Sequence, residues 1–207
     1  TFNGVAGTTY VLRWTISNGT CAASTDDVQI QLDAAPTTSA AGGDQTVCGT
    51  SATLAANAPV IGTGSWSVVS GAGGSFVSPT SATSVFNGVA GTTYVLRWTI
   101  SNGVCAASTD DVQIQLDAAP TASSAGPDQN ICGTSAVLAG NTPAVGTGAW
   151  SIVSGAGGSF VLASNPTTTF NGVAGTTYVL RWTISNGTCA ASTDDVQIQL
   201  DAAPTTS

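Results

Sequence analysis

Residues 92–116 read TTYVLRWTISNGVCAASTDDVQIQL, and this stretch decides the fold. Tyr94, Leu96, Trp98 and Ile100 alternate with Val95, Arg97, Thr99 and Ser101. A period of two puts the first four on one face of a half-buried β-strand. Asn102-Gly103 follows at once, a dipeptide that supplies the positive φ angles of a tight hairpin. Val112, Ile114 and Leu116 share one face of the return strand. A two-residue turn would pair Ser101 with Val104 and turn odd-numbered residues inward, whereas those three are even. The pattern therefore predicts a β-bulge near Thr109-Asp110-Asp111, unless the turn holds three residues. In the two-residue register Asp110 lies diagonal to Arg97 and forms an exposed ion pair with it.

Working outward, the same string recurs. FNGVAGTTYVLRWTISNG begins at Phe2, Phe86 and Phe170, a period of 84 residues. Residues 2–39 and 170–207 are identical, and residues 86–121 differ from the first copy only by Val104 in place of Thr20. The other half of the unit recurs too. AGGDQTVCGTSATLAANAP from Ala41 matches AGPDQNICGTSAVLAGNTP from Ala125, and GTGSWSVVSGAGGSF from Gly62 matches GTGAWSIVSGAGGSF from Gly146. A unit of this length is too long for a solenoid turn and has the size of a small domain. The chain reads as a window on a longer tandem array. Residues 1–36 are the C-terminal half of one repeat, and 40–120 and 124–204 are full repeats. Short AAPT linkers lie between them.

Within a unit the pattern is all-β. Expected strands are Gln45–Val47, Ala52–Ala56, Ser65–Val69, Ser84–Val89, Tyr94–Ser101 and Ala106–Leu116, separated by clusters of Gly, Asn, Pro and Ser. Short strands at such spacing suggest a two-sheet sandwich. Its expected core holds Trp66, Tyr94, Leu96, Trp98 and Ile100, with Trp150 and Trp182 in the next repeat.

Composition excludes much chemistry. The net charge is −8, carried by eleven acids, all aspartate, against three arginines, and there is no histidine. Without His there is no imidazole base or metal ligand. Without Lys there is no Schiff base and no P-loop lysine. Three cations cannot neutralise a phosphate backbone, so nucleic acid is not an expected partner. No apolar run approaches the roughly 20 residues that span a bilayer, and no targeting segment opens the chain. Catalytic residues are not expected, because no two aspartates have a convincing acid–base spacing.

TYVLRWTISNG followed by a strand ending in VQIQL resembles the last hairpin of PKD-like and immunoglobulin-like bacterial repeats. AGPDQ, then Cys and Gly, then an apolar strand, resembles their beginning. Together they are similar to repeats of giant cell-surface adhesins of the Bacteroidetes, of the gliding-motility type exported by type IX secretion. That family's NGC turn is spelled NGTC or NGVC here. The resemblance implies tandem immunoglobulin-like (PKD-like) β-sandwiches in a secreted protein at the cell surface. It implies a non-enzymatic stalk or filament of an adhesin. The partners expected are neighbouring repeats of the same chain, the chain itself in a filament, or surface glycans. One alternative is a repeated binding module for glycan or protein, with Ser78–Val85 as its contact loop, and another is self-assembly into an extracellular filament or sheath.

Cys48, Cys105, Cys132 and Cys189 fall two to a repeat, and Cys21 is orphaned by the truncated unit. Disulfides suit an exported protein. Pairing inside a repeat would join Cys48 to Cys105 and Cys132 to Cys189. Pairing between repeats would join Cys48 to Cys189, because Cys48 lies at the first-turn end of a sandwich and the hairpin cysteine at the other. Spacing leaves both open, with free thiols as the third reading. Asp33 with Asp44, and Asp117 with Asp128, flank the linkers and are the candidate Ca²⁺ ligands at repeat junctions, with turn-forming, solvated aspartates as the simpler reading. Asp110-Asp111 reads as an exposed charge protecting a sheet edge.

Overall fold

The computed structural model describes residues 1–204, and those residues form strands and loops without any helix. The chain divides into two compact units. One gathers Thr1–Gln45, Ala52–Asn87 and Thr93–Ile114; the other gathers Thr46–Ser51, Gly88–Thr92 and everything from Gln115 onward. The division does not follow the 84-residue period. Thr46–Ser51 and Gly88–Thr92, the first-turn end of the middle repeat, belong with the last repeat.

In the first unit, β1 (Thr8–Ile16) and β2 (Ser24–Leu32) form a two-stranded antiparallel hairpin. The middle repeat contributes β3 (Gln45–Cys48), β4 (Ser51–Thr53), β5 (Thr63–Ser70), β6 (Ser75–Phe76), β7 (Val85–Asn87), β8 (Thr92–Ser101) and β9 (Ser108–Asp117). Its sheets run β3-β9-β8-β5 and β4-β7-β6. Trp66, Phe86, Tyr94, Leu96, Trp98 and Ile100 are buried between them, with Ala52, Leu54 and Ile114.

The last repeat lies wholly in the second unit. Its strands are β10 (Gln129–Cys132), β11 (Ser135–Val137), β12 (Thr147–Ser154), β13 (Ser159–Phe160), β14 (Thr169–Asn171), β15 (Thr176–Ser185) and β16 (Ser192–Asp201). One sheet is ordered β10-β16-β15-β12 and the other β11-β14-β13. β15 and β16 are antiparallel, whereas β10 lies parallel to β16, with Cys132 opposite Asp201. Tyr178, Leu180, Trp182 and Ile184 on β15 meet Val196, Ile198 and Leu200 on β16, and Ala136, Leu138, Trp150 and Phe170 close over them. The rings form a continuous ladder: Phe160–Phe170 at 5.3 Å, Phe170–Tyr178 at 4.8 Å and Trp150–Trp182 at 5.1 Å between centroids. Burying an indole N–H requires an acceptor. Trp182 Nε1 donates to Asn141 O and Trp150 Nε1 to Pro166 O, both at 3.1 Å. The Tyr178 hydroxyl donates to Ala156 O at 2.7 Å and accepts the Val173 amide at 2.9 Å. Among the described residues no buried side-chain N or O atom lacks a partner.

Two details of the hairpin correct the sequence reading. The β15–β16 pairing runs without a shift from Thr176↔Leu200 to Ile184↔Ser192, so there is no bulge at the aspartates. The parity is absorbed by a longer loop, closed where the Cys189 amide donates to Asn186 O at 3.1 Å. The register shift lies instead on the partner strand, between Ile152 and Ser154 in β12 and between Val68 and Ser70 in β5. Consequently Arg97 faces Asp111, not Asp110. Its guanidinium grips both Asp111 oxygens, at 2.7 and 2.8 Å. That contact holds the Asp111 carboxyl below, and the Arg97 pKa above, their ordinary values. Strand bounds shift as well. The expected Ala52–Ala56 strand is Ser51–Thr53, Ser84–Val89 contracts to Val85–Asn87, and Ser75–Phe76 is an unforeseen strand inside a Gly-rich stretch.

Candidate functional site at the repeat junction

Aspartate has a short side chain that reaches backbone amides of neighbouring segments, and the aspartates here do so repeatedly. Asp110 Oδ2 accepts the Ala41 amide and Asp194 Oδ2 the Ala125 amide, both at 2.7 Å. Asp44 and Asp128 accept the Gln113 and Gln197 amides at 2.8 Å. Asp110 is therefore not a free edge-protecting charge. It fastens the entering segment of its own repeat onto the last strand, helped by Ser108, whose Oγ accepts the Ser39 amide at 2.9 Å.

One set of residues lies farther along, where β9 ends in the second unit. Asp117 is only 6% exposed. Its Oδ1 accepts Gln115 Nε2 at 2.8 Å. Its Oδ2 accepts the Thr188 amide at 2.7 Å and the Thr188 hydroxyl at 3.0 Å. The Asn186 side-chain amide donates to Ala118 O at 2.7 Å, and the Asp117 carbonyl accepts the Gly49 amide at 2.9 Å. The Thr188 amide, then the Gln115 amide, hold the Asp117 carboxyl below the usual carboxylate range against the opposing effect of burial. Gly187 sits against this carboxylate with φ near +51°. A Cβ there would be driven into Asp117, so the loop needs glycine for space as well as conformation. Beside this cap, Cys48 and Cys189 form a disulfide with an S–S distance of 2.04 Å and Cα atoms 4.8 Å apart. The Asn-Gly-Thr-Cys hairpin of the last repeat is thus held on the end of the middle repeat by a carboxylate, a carbonyl and a covalent bond.

The first unit holds a looser version. Asp33 Oδ2 accepts the Val104 amide at 2.9 Å and Oδ1 accepts Gln31 Nε2 at 2.7 Å. Asn102 Nδ2 donates to Ala34 O at 2.8 Å. Val104, in the place of Thr188, offers no hydroxyl and is 93% exposed. Cys105 Sγ lies 3.6 Å from Asp33 O and is a free thiol, as are Cys21 and Cys132.

The structure therefore joins Cys48 to Cys189 and leaves Cys105 and Cys132 unbridged. The four Ca²⁺ candidates are engaged differently: Asp33 and Asp117 cap hairpins, while Asp44 and Asp128 hold strand amides. N–H donors point at their oxygens, the opposite polarity to a cation's needs. Among the described residues no three acidic or sulfur side chains cluster as a metal site. A shallow depression of about 160 Å³ lies at Asp128, Gln129, Asn130, Gln197 and Gln199. Trp66, Trp98, Trp150 and Trp182 are buried, as are Tyr94, Leu96 and Ile100. The carboxylate capping of backbone amides was missed from sequence. Its only signal was the exclusive use of Asp over Glu.

No protein-family model matches the chain, and no curated protein matches it in sequence. Solved structures do. Sidekick-1 immunoglobulin domains 1–4 match with a TM-score of 0.52 at 11% identity, covering 86% of this chain and 55% of that one. Sidekick-1 immunoglobulin domains 1–5 match with a TM-score of 0.51 at 12% identity, covering 91% of this chain and 45% of that one. The chain spans about half the length of these structures. The likeness is one of fold: these are tandem immunoglobulin-like β-sandwiches.

Proposed function

We propose that the chain is part of a non-enzymatic extracellular array, the stalk or filament of a large surface adhesin built from PKD-like repeats. A type IX-exported protein of the Bacteroidetes is the origin that the sequence resemblance suggests. The observation that carries this reading is the junction. The buried Asp117 cap and the Cys48–Cys189 bond join residues 141 apart in sequence, and this chemistry serves connection rather than turnover. A disulfide fits an oxidising, extracellular setting, and among the described residues no helix is long and apolar enough to cross a membrane. The boundaries 1–36, 40–120 and 124–204 follow the sequence period and are part of the proposal.

The glycan-binding alternative needs recurrent exposed aromatics, and the tryptophans of both full repeats are buried. A length series tests the stalk. Arrays of two, four and six units carrying labels at both ends should show a label separation that grows in proportion to unit number. A separation that stops growing would refute a stalk, and saturable binding on a glycan array would favour the alternative.

A further inference from the structure

We propose that Asn186-Gly187 is a self-modification site that the junction holds closed. When the hairpin leaves Asp117, the Asn186 side chain cyclises onto the Gly187 nitrogen and loses its amide, and the hairpin then reseats poorly. The inference goes beyond the stalk reading and does not depend on it.

Asparagine before glycine is prone to this reaction, because no Cβ on the second residue hinders its nitrogen from reaching the side-chain carbonyl carbon. The last repeat holds two such pairs, Asn171-Gly172 and Asn186-Gly187. The structure treats them differently. The Gly172 amide donates to Thr134 O at 2.8 Å, and that bond keeps the proton on the nitrogen that must attack. The Gly187 amide has no hydrogen-bond partner among the described residues. It is restrained from outside the hairpin instead. Asn186 Nδ2 donates to Ala118 O at 2.7 Å, which fixes the carboxamide on the end of β9. The Asp117 carboxylate lies against Gly187, and a negative charge there opposes the amide anion that attack requires. Cys189, in the same loop, is bonded to Cys48. All three restraints act only while the hairpin is seated.

The chemistry needs water and nothing else. The Gly187 nitrogen gives its proton to solvent and attacks Asn186 Cγ. The N–Cγ bond forms, the Cγ–Nδ2 bond breaks, and the amide nitrogen takes a proton from solvent and leaves as ammonia. Water then opens the cyclic imide at either carbonyl, leaving aspartate or isoaspartate. Nothing is oxidised or reduced. The new carboxylate is an acceptor only. It faces the Ala118 carbonyl, also an acceptor, and stands beside the Asp117 carboxylate. One hydrogen bond is lost and two like charges meet. A hairpin that has stood open is thereby marked.

The test holds the whole 207-residue chain at mildly alkaline pH, then reduces it, cuts it with trypsin and reads deamidation by mass spectrometry. Asn186 is the only asparagine in peptide 182–207, and fragment spectra locate Asn171 in peptide 98–181. In the folded parent Asn186 should react at least tenfold more slowly than in denaturant. Asp117→Ala and Cys48→Ser should each raise the Asn186 rate at least threefold, with a slow Asn171 as the sign that the sandwich is intact. A folded-parent rate equal to that in denaturant would overturn the proposal, as would an Asn186 rate that neither variant moves. The second arm tests reseating, in a chain carrying Cys21→Ser, Cys105→Ser and Cys132→Ser. After reduction, Asn186→Asp should reform the Cys48–Cys189 bond in a glutathione redox buffer at least tenfold more slowly than the same chain without it, and Asn171→Asp should not. Equal rates with and without Asn186→Asp would show that the hairpin keeps no mark.

Discussion

The hairpin of residues 8–32 and the hairpin of residues 176–200 have the same sequence and the same register, Thr8↔Leu32 in one and Thr176↔Leu200 in the other. Their surroundings differ. Trp182 is 0% exposed, packed against Trp150, whereas Trp14 is 71% exposed. The carboxylate of Asp194 fastens the Ala125 amide, and no such bond exists for Asp26 among the described residues. Strand pairing and turn geometry are therefore local properties of this peptide. Burial, and the stability that comes with it, is supplied by the 40-odd residues of the front half.

The hardest test of that comparison is a matched pair of truncations. Trp182→Ala removes a fully buried ring and should cost about 3–5 kcal/mol in chemical denaturation. Trp14→Ala removes an exposed one and should change stability by less than about 0.5 kcal/mol. Equal effects would mean that the first hairpin is covered in solution.

Cys48→Ser comes next. Loss of a long-range disulfide should lower stability by about 2–5 kcal/mol. Reducing the parent protein should give the same denaturation curve as the variant, while Cys21→Ser should leave it unmoved. Gly148→Ala probes the packing beneath Trp182. A methyl there runs into the indole, and overpacking of this kind costs about 1–3 kcal/mol. Gly64→Ala, beneath Trp98, should match it, and calorimetry would resolve a disagreement between the two repeats.

Smaller effects separate the two junctions. The Asp117 carboxyl is held below its ordinary range in the fold. Its contribution to stability is thus present above the unfolded carboxylate pKa and is lost as pH falls through the depressed value. The gap in unfolding temperature between parent and Asp117→Asn should be widest near neutrality and close in acid. Val104→Thr should add to the first junction the hydroxyl bond that Thr188 makes in the second, raising stability by at most about 1 kcal/mol.

Much of this was legible in advance, and the failures share a cause. The alternation over Tyr94–Ile100 revealed strand, face and core, because a side-chain period is a property of neighbouring residues. The odd–even conflict at Thr109–Asp111 was also real. A bulge and a longer loop repair it equally well, and the hairpin takes the loop, with the Cys189 amide closing onto Asn186 O as the Cys21 amide does onto Asn18 O. The partners of Asp110, Asp44 and Asp33 lie 69 to 71 residues away, beyond any local pattern. The pairing of Cys48 with Cys105 or with Cys189 stays open in the sequence, because a disulfide depends on the distance between segments that are far apart in the chain. Choosing between pairings still required knowing how close the AAPT linker brings those segments.

The disulfide also has a mechanical meaning. It is a covalent bypass around a chain separation of 141 residues. A pull on the two ends of the oxidised chain is handed from Cys48 to Cys189 across sulfur, and the sequence between them feels none of it. Drawn out at roughly 3.4 Å per residue, that hidden stretch amounts to about 480 Å of slack. Reduction of one bond releases it, so the oxidation state of a single cysteine pair sets how far the chain can be drawn out under load.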